Sequence, residues 1–158
     1  MSNAITKHLL VDGSNIMHAW PELRSLMPRD RDAARSRLSQ SMAALHDAGH
    51  LRVTIVFDGR GLEMTVERPS GHATFSHIHT PTGTTADEVI VQLVRKSAEP
   101  CHCVVATDDR GERAAVEALG AAILSAADLA AWAGRASLRH SSQIKTNRAQ
   151  NERKWRNP

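Results

Sequence analysis

The chain has 158 residues, a net charge of +3 and two cysteines, a length that suits one domain with its own hydrophobic core. No apolar run approaches the roughly 20 residues of a membrane span, and the start lacks the charged-then-apolar pattern of a signal peptide. Nothing suggests a disulfide framework, so a reducing cytoplasm and no membrane partner are expected. Tyrosine is absent and aromatic residues make up 3%, which argues against an aromatic base-stacking platform. The charge is uneven: from Arg135 onward seven basic residues face Glu152 alone, a net of +6, so residues 1–134 carry −3.

His8-Leu9-Leu10-Val11 is a short apolar run that ends in Asp12. From Arg31 to Ala48, residues Ala34, Leu38, Met42 and Leu45 recur at helical spacing, with Gly49 as C-cap. Val53-Thr54-Ile55-Val56-Phe57 is a second apolar run, ending in Asp58. Short runs rich in β-branched residues read as strands buried on both faces, as in parallel sheets. Residues 59–74 hold Gly59, Gly61, Pro69 and Gly71 and no helical pattern, so the next link is irregular. Phe75 to Thr80 alternates, with His77 and His79 on one side and Ile78 on the other, which suits an exposed edge strand. Thr85-Ala86-Asp87-Glu88 has capping-box form and leads into an apolar stripe of Val89, Ile90, Leu93 and Val94. Cys103-Val104-Val105-Ala106 is a further strand, followed by Thr107-Asp108. A short helix from Glu112 to Leu119 stops at Gly120, Ala121 to Leu124 is a fifth strand, and a helix from Ala126 to Ala133 stops at Gly134.

Alternating strands and helices predict an α/β domain of three layers with a mainly parallel sheet, strand order 3-2-1-4-5, over residues 5–134. Residues 135–158 are polar and basic and read as a flexible tail.

In a parallel sheet the C-terminal strand ends share one edge, where ligands bind at the switch in strand order. That order puts Asp12 and Asp108 across the switch, Asp58 one strand away, and the helix opening at Asp87 on the same edge. Crowded carboxylates repel unless a proton or a cation neutralises them, and magnesium and manganese favour such oxygen ligands. Such ions can hold a phosphodiester for attack by water. Plainer roles exist for each residue. Asp12-Gly13 and Asp58-Gly59 suit turns, Asp87 suits a helix first turn, Glu88 suits a capping box, and Asp109 can cap a helix from Arg110. The convergence of Asp12, Asp58 and Asp108 on one edge favours the metal reading.

Four segments then form a pattern: Leu10-Val11-Asp12-Gly13-Ser14-Asn15-Ile16, Val56-Phe57-Asp58-Gly59-Arg60-Gly61, Thr84-Thr85-Ala86-Asp87-Glu88-Val89-Ile90 and Ala106-Thr107-Asp108-Asp109-Arg110. Their order resembles the YacP-like branch of the NYN domains, which have the PIN-like nuclease fold, over roughly residues 7–134. The resemblance implies a metal-dependent endoribonuclease using magnesium or manganese. On it the metal-binding acids fall on Asp12, Asp87 and Asp108, the accompanying asparagine on Asn15, and the Phe-Asp-Gly acid on Asp58. Ser14 replaces the family's usual aromatic, Asp109 doubles the last acid, and the basic tail lies outside the match.

Arg60, between two glycines, and Arg110 are candidate phosphate contacts. Cys101-His102-Cys103 lacks the second paired cluster of a zinc site. The expected activity is RNA phosphodiester hydrolysis leaving a 5′-phosphate and a 3′-hydroxyl. The tail would bind RNA or an RNA-rich assembly such as the ribosome by neutralising phosphates. The alternatives are a non-catalytic RNA-binding module of the same fold and a small-molecule phosphohydrolase. Against the latter, Asp12-Gly13-Ser14 lacks the Asp-x-Asp that aspartyl-phosphate enzymes carry after the first strand.

Overall fold

The computed structural model describes residues 7–138. In chain order these form β1 (Lys7–Asp12), α1 (Gly13–Ala19), α2 (Pro21–Leu26), α3 (Arg31–Ala48), β2 (Leu51–Gly61), β3 (Thr65–Glu67), β4 (Phe75–Pro81), α4 (Ala86–Lys96), β5 (Cys103–Ala106), α5 (Arg110–Ala118) and β6 (Ala122–Leu124). A final helix, α6, occupies 126–138. No helix among the described residues is long and apolar enough to cross a membrane.

The sheet runs β3-β4-β2-β1-β5-β6. Every pairing is parallel except β3 with β4. The five expected strands thus stand in the expected order. Because β-strand side chains alternate between faces, β1 sends Leu9 and Val11 into one core and Leu10 into another. The first core is closed by Ile16, Leu23, Leu38, Met42, Leu45 and Leu129 from α1, α2, α3 and α6. The second is closed by Ile90 and Val94 from α4 and Val116 from α5. The result is three layers, with the sheet buried on both faces.

Three expectations need correction, and the helices α1 and α2 were not among those expected. Asp12-Gly13 is not a bare turn: Asp12 caps α1, its Oδ1 accepting the Asn15 amide at 3.2 Å. At seven and six residues, α1 and α2 are too short to show a helical stripe. The strand Phe75–Pro81 is not the sheet edge, because β3 pairs with it antiparallel. All three β3 residues are exposed, so they carry no alternation to read. Gly134 does not end the last helix, which continues to 138. Ala133 and Ala136 are buried in the first core, and that packing outweighs the cost of about 1 kcal/mol for a glycine inside a helix. Residues 139–158, most of the expected tail, lie outside the described residues.

The edge that carries the aspartates is set by close backbone approaches. A Cβ on Gly59 would fall 2.1 Å from the Thr80 carbonyl oxygen, where the β2–β4 register shifts. A Cβ on Gly61 would meet nothing closer than 3.7 Å. We therefore expect Gly59→Ala to destabilise the fold by about 1–3 kcal/mol, the usual cost of overpacking. Gly61→Ala should stay within about 0.5 kcal/mol of the parent. Chemical denaturation of both variants checks the difference.

Candidate metal centre

The parallel strands deliver the aspartates to one edge. Asp12 ends β1, Asp58 lies in the outer part of β2, Asp87 stands in the first turn of α4, and Asp108 follows β5. Each is fixed by a helix start. Asp58 is a cross-link: its Oδ2 accepts the Ser14 hydroxyl at 2.6 Å and its Oδ1 the Ala86 amide at 2.9 Å, joining β2 to α1 and α4. Asp87 accepts from the hydroxyl of Thr85, which also caps α4 in a complete capping box with Glu88. The Asp108 carboxylate accepts the Ala126 amide at 2.9 Å, at the start of α6. The Asp108 amide donates to Asn15 Oδ1 at 2.9 Å, so Asn15 holds the β5 loop against α1. Asp109 caps α5 through the Glu112 amide at 2.8 Å.

Beneath these residues is an acid that the sequence reading did not single out. Glu112, in the first turn of α5, is 3% exposed and Asp12 is 5% exposed; among the described residues they are the only buried acids. Neither Glu112 oxygen meets a donor at hydrogen-bond geometry, and the nearby Thr107 hydroxyl, which lowers the Glu112 carboxyl, is outweighed. Two ionised carboxylates cannot bond each other, but a protonated one can donate. Burial first, then the bond to Asp12 and the Asp12 charge, push the Glu112 carboxyl up to about 9. Burial also raises Asp12. The charges of Asp58 and Asp87 add to the rise, and bonds from Glu112 and the Asn15 amide oppose it. The pair therefore shares a proton at neutral pH. The one sequence signal was an acid four residues before Val116, on the face of α5 that is buried.

The site is graded. Asp12 and Glu112 form its floor, Asp87 is half-buried, and Asp58 and Asp108 are exposed at the rim. No three of these acids bring ligand atoms within 4.8 Å of one another. Arg60 and Arg110 are exposed. Arg60 lines a groove with Arg29, Arg31 and Arg35 beside the start of α3, and Arg110 begins α5. Cys103 is buried in the second core and Cys101 is exposed; neither joins a metal-ligating cluster among the described residues.

Residues 9–158 match the YacP-like NYN domain. A curated Bacillus subtilis (strain 168) protein, "Uncharacterized protein YacP", is 36% identical over 124 residues, 77% of this chain and 71% of its own length. The chain belongs to the YacP-like NYN domain family. The crystal structure of Bacillus subtilis YacP superposes with a TM-score of 0.76 at 29% identity, over 93% of this chain and 84% of that one. A tryptophan-to-leucine mutant of the same protein gives a TM-score of 0.74, also at 29% identity, over 91% and 85%. The YacP-like domain has a PIN-like nuclease fold, which supports a nuclease-type hydrolase in general.

The donor set at the acid edge fits a divalent cation. Its acids offer only oxygens, and burial beside Asp12 holds the Glu112 carboxyl up at about 9. A cation can take the place of the proton that the pair shares.

The pair has a measurable signature in chelator. The folded-state value of Glu112 stands above its unfolded value, so the folded chain holds more protons between about pH 4.5 and about pH 9. Its stabilising contribution is complete below that window and is lost as pH rises through it. The melting temperature should therefore fall across the window. Glu112→Gln keeps the shape and removes this titration, so its profile should be flatter. Thermal melts at stepped pH give the comparison.

Proposed function

We propose that this chain is a metal-dependent endoribonuclease whose divalent cation, magnesium or manganese, is held at the Asp12–Glu112 edge of the sheet. The observation that carries the reading is the buried Asp12–Glu112 pair, whose charge state is strained by Asp58 and Asp87 beside it. Asp12 and Asp87 would hold the cation from β1 and α4, Glu112 from α5 below, and Asp108 from the rim. Such a cation supplies charge neutralisation for the phosphodiester and lowers the pKa of the attacking water.

The protein's part is positioning. Asp58 ties α1 and α4 to β2 and so sets Asp12 and Asp87 relative to each other. Asn15 holds the Asp108 loop in place through the Asp108 amide. Arg60 and Arg110, both exposed, would meet phosphates that flank the scissile bond. The substrate is RNA, ribosome-associated RNA included, and the products carry a 5′-phosphate and a 3′-hydroxyl. RNA is favoured by the family and by the basic residues Arg139, Lys145, Arg148, Arg153, Lys154 and Arg156 against Glu152. These can neutralise phosphates without reading sequence.

Asp12→Asn and Asp87→Asn should each reduce cleavage of a labelled RNA, with manganese present, by more than about 100-fold. That is the upper range for losing even an outer partner of a metal site. Circular dichroism should show both folds intact. Near-parental cleavage by both variants would overturn the assignment. A parent that binds RNA and never cuts it would favour a binding module, and turnover of a chromogenic phosphate ester in place of RNA would favour a phosphohydrolase.

A further inference from the structure

A second cluster lies on the face of the sheet packed by α3, apart from the acid edge. The antiparallel pairing of β3 with β4 sets Glu67 opposite His77 and Thr65 opposite His79. The two histidines are two residues apart on β4 and so point to the same face. Glu67 and His79 meet directly, with Oε1 and Nε2 3.2 Å apart. One ligand atom from each of Glu67, His77 and His79 lies within 4.8 Å of the others, the one such group among the described residues.

The rings are already oriented. Phe57 stacks on His79 with centroids 5.5 Å apart and meets His77 edge-on at 5.6 Å. Phe75 also meets His77 edge-on at 5.6 Å. Ser39 of α3 hydrogen-bonds His77 Nε2 at 2.8 Å. Bonds of this kind fix the ring of a metal-binding histidine and set which nitrogen is free. A cavity of about 440 Å³ opens over the cluster, lined by Arg35, Ser39, Phe57, Glu67, His77 and His79.

We propose that Glu67, His77 and His79 form a second metal site, for zinc or a similar borderline dication, that clips β3 onto β4. Two imidazoles and one carboxylate with an open fourth position are a zinc ligand set. The all-oxygen acid edge suits harder cations, so ligand chemistry separates the two sites. An ion pair alone would account for Glu67 and His79 but not for the convergence of His77 on them. A clip has a mechanical use here. Three exposed residues bury almost nothing, and residues 59–74 connect β2, which carries Asp58, to β4.

Full-length protein stripped with chelator is titrated with zinc by calorimetry, and its melting temperature is followed with and without zinc. The parent should bind one equivalent, and zinc should raise its melting temperature, as for any ligand of the folded state. His79→Gln and Glu67→Gln, both outside the core and checked by circular dichroism, should each weaken zinc binding by at least about 10–100-fold and lose the thermal shift. Asp87→Asn, at the acid edge, should keep both. Cobalt should give the visible absorption of a low-coordinate site in the parent and not in His79→Gln. The proposal is overturned if the parent takes up no zinc, if binding survives the His79→Gln/Glu67→Gln double variant, or if Asp87→Asn abolishes it.

Discussion

Two carboxyl groups meet at the floor of the acid edge, Asp12 from the end of β1 and Glu112 from the first turn of α5. Buried carboxylates in contact cannot both carry charge without a proton or a cation between them. The surrounding architecture makes the arrangement tolerable. The first turns of α1, α4, α5 and α6 all open at this edge, each with an aspartate accepting from a backbone amide there: Asp12 for α1, Asp58 for α4, Asp109 for α5 and Asp108 for α6. Helix N-termini favour negative charge. The same geometry that caps the helices thus concentrates acids where a cation would be welcome. Structural and functional readings of these aspartates are not rivals; the caps hold the ligands in place.

The strand framework was legible because buried strands leave continuous apolar runs, and three of these end at or just before an aspartate. The 18-residue α3 was legible because its buried positions Ala34, Leu38, Met42 and Leu45 repeat at helical spacing. Thr85 and Glu88 announced α4 through a capping box that the structure contains in full. What escaped reading was short or tertiary in origin. The α1 and α2 helices have too few turns for a pattern, and β3 has no buried face. Glu112 looks like any acid in a first turn until β1 brings Asp12 against it. The same holds for His77 and His79, which suited an exposed edge until β3 covered it with Glu67.

Arg35 connects the acid edge to the histidine cluster. Its guanidinium donates to the Asp58 carbonyl at 3.3 Å, lies 5.7 Å from the centre of the Phe57 ring, and pairs with Asp32 at 3.3 Å. Phe57 in turn contacts His77 and His79, and a Cβ on Gly13, the first residue after Asp12, would fall 2.6 Å from its ring. A single aromatic side chain therefore packs against the start of α1 on one side and the histidine cluster on the other. Changes at either place are transmitted through contacts that have little room to yield.

The role of the acid pair is tested most directly by diffraction at the manganese edge from crystals of the full-length chain grown with manganese. Anomalous density bounded by Asp12, Asp87 and Glu112 is the expected result, and it should vanish in Asp12→Asn. Crystals that hold manganese at other positions while Asp12 and Glu112 remain paired with none between them would contradict a metal-binding role for this edge.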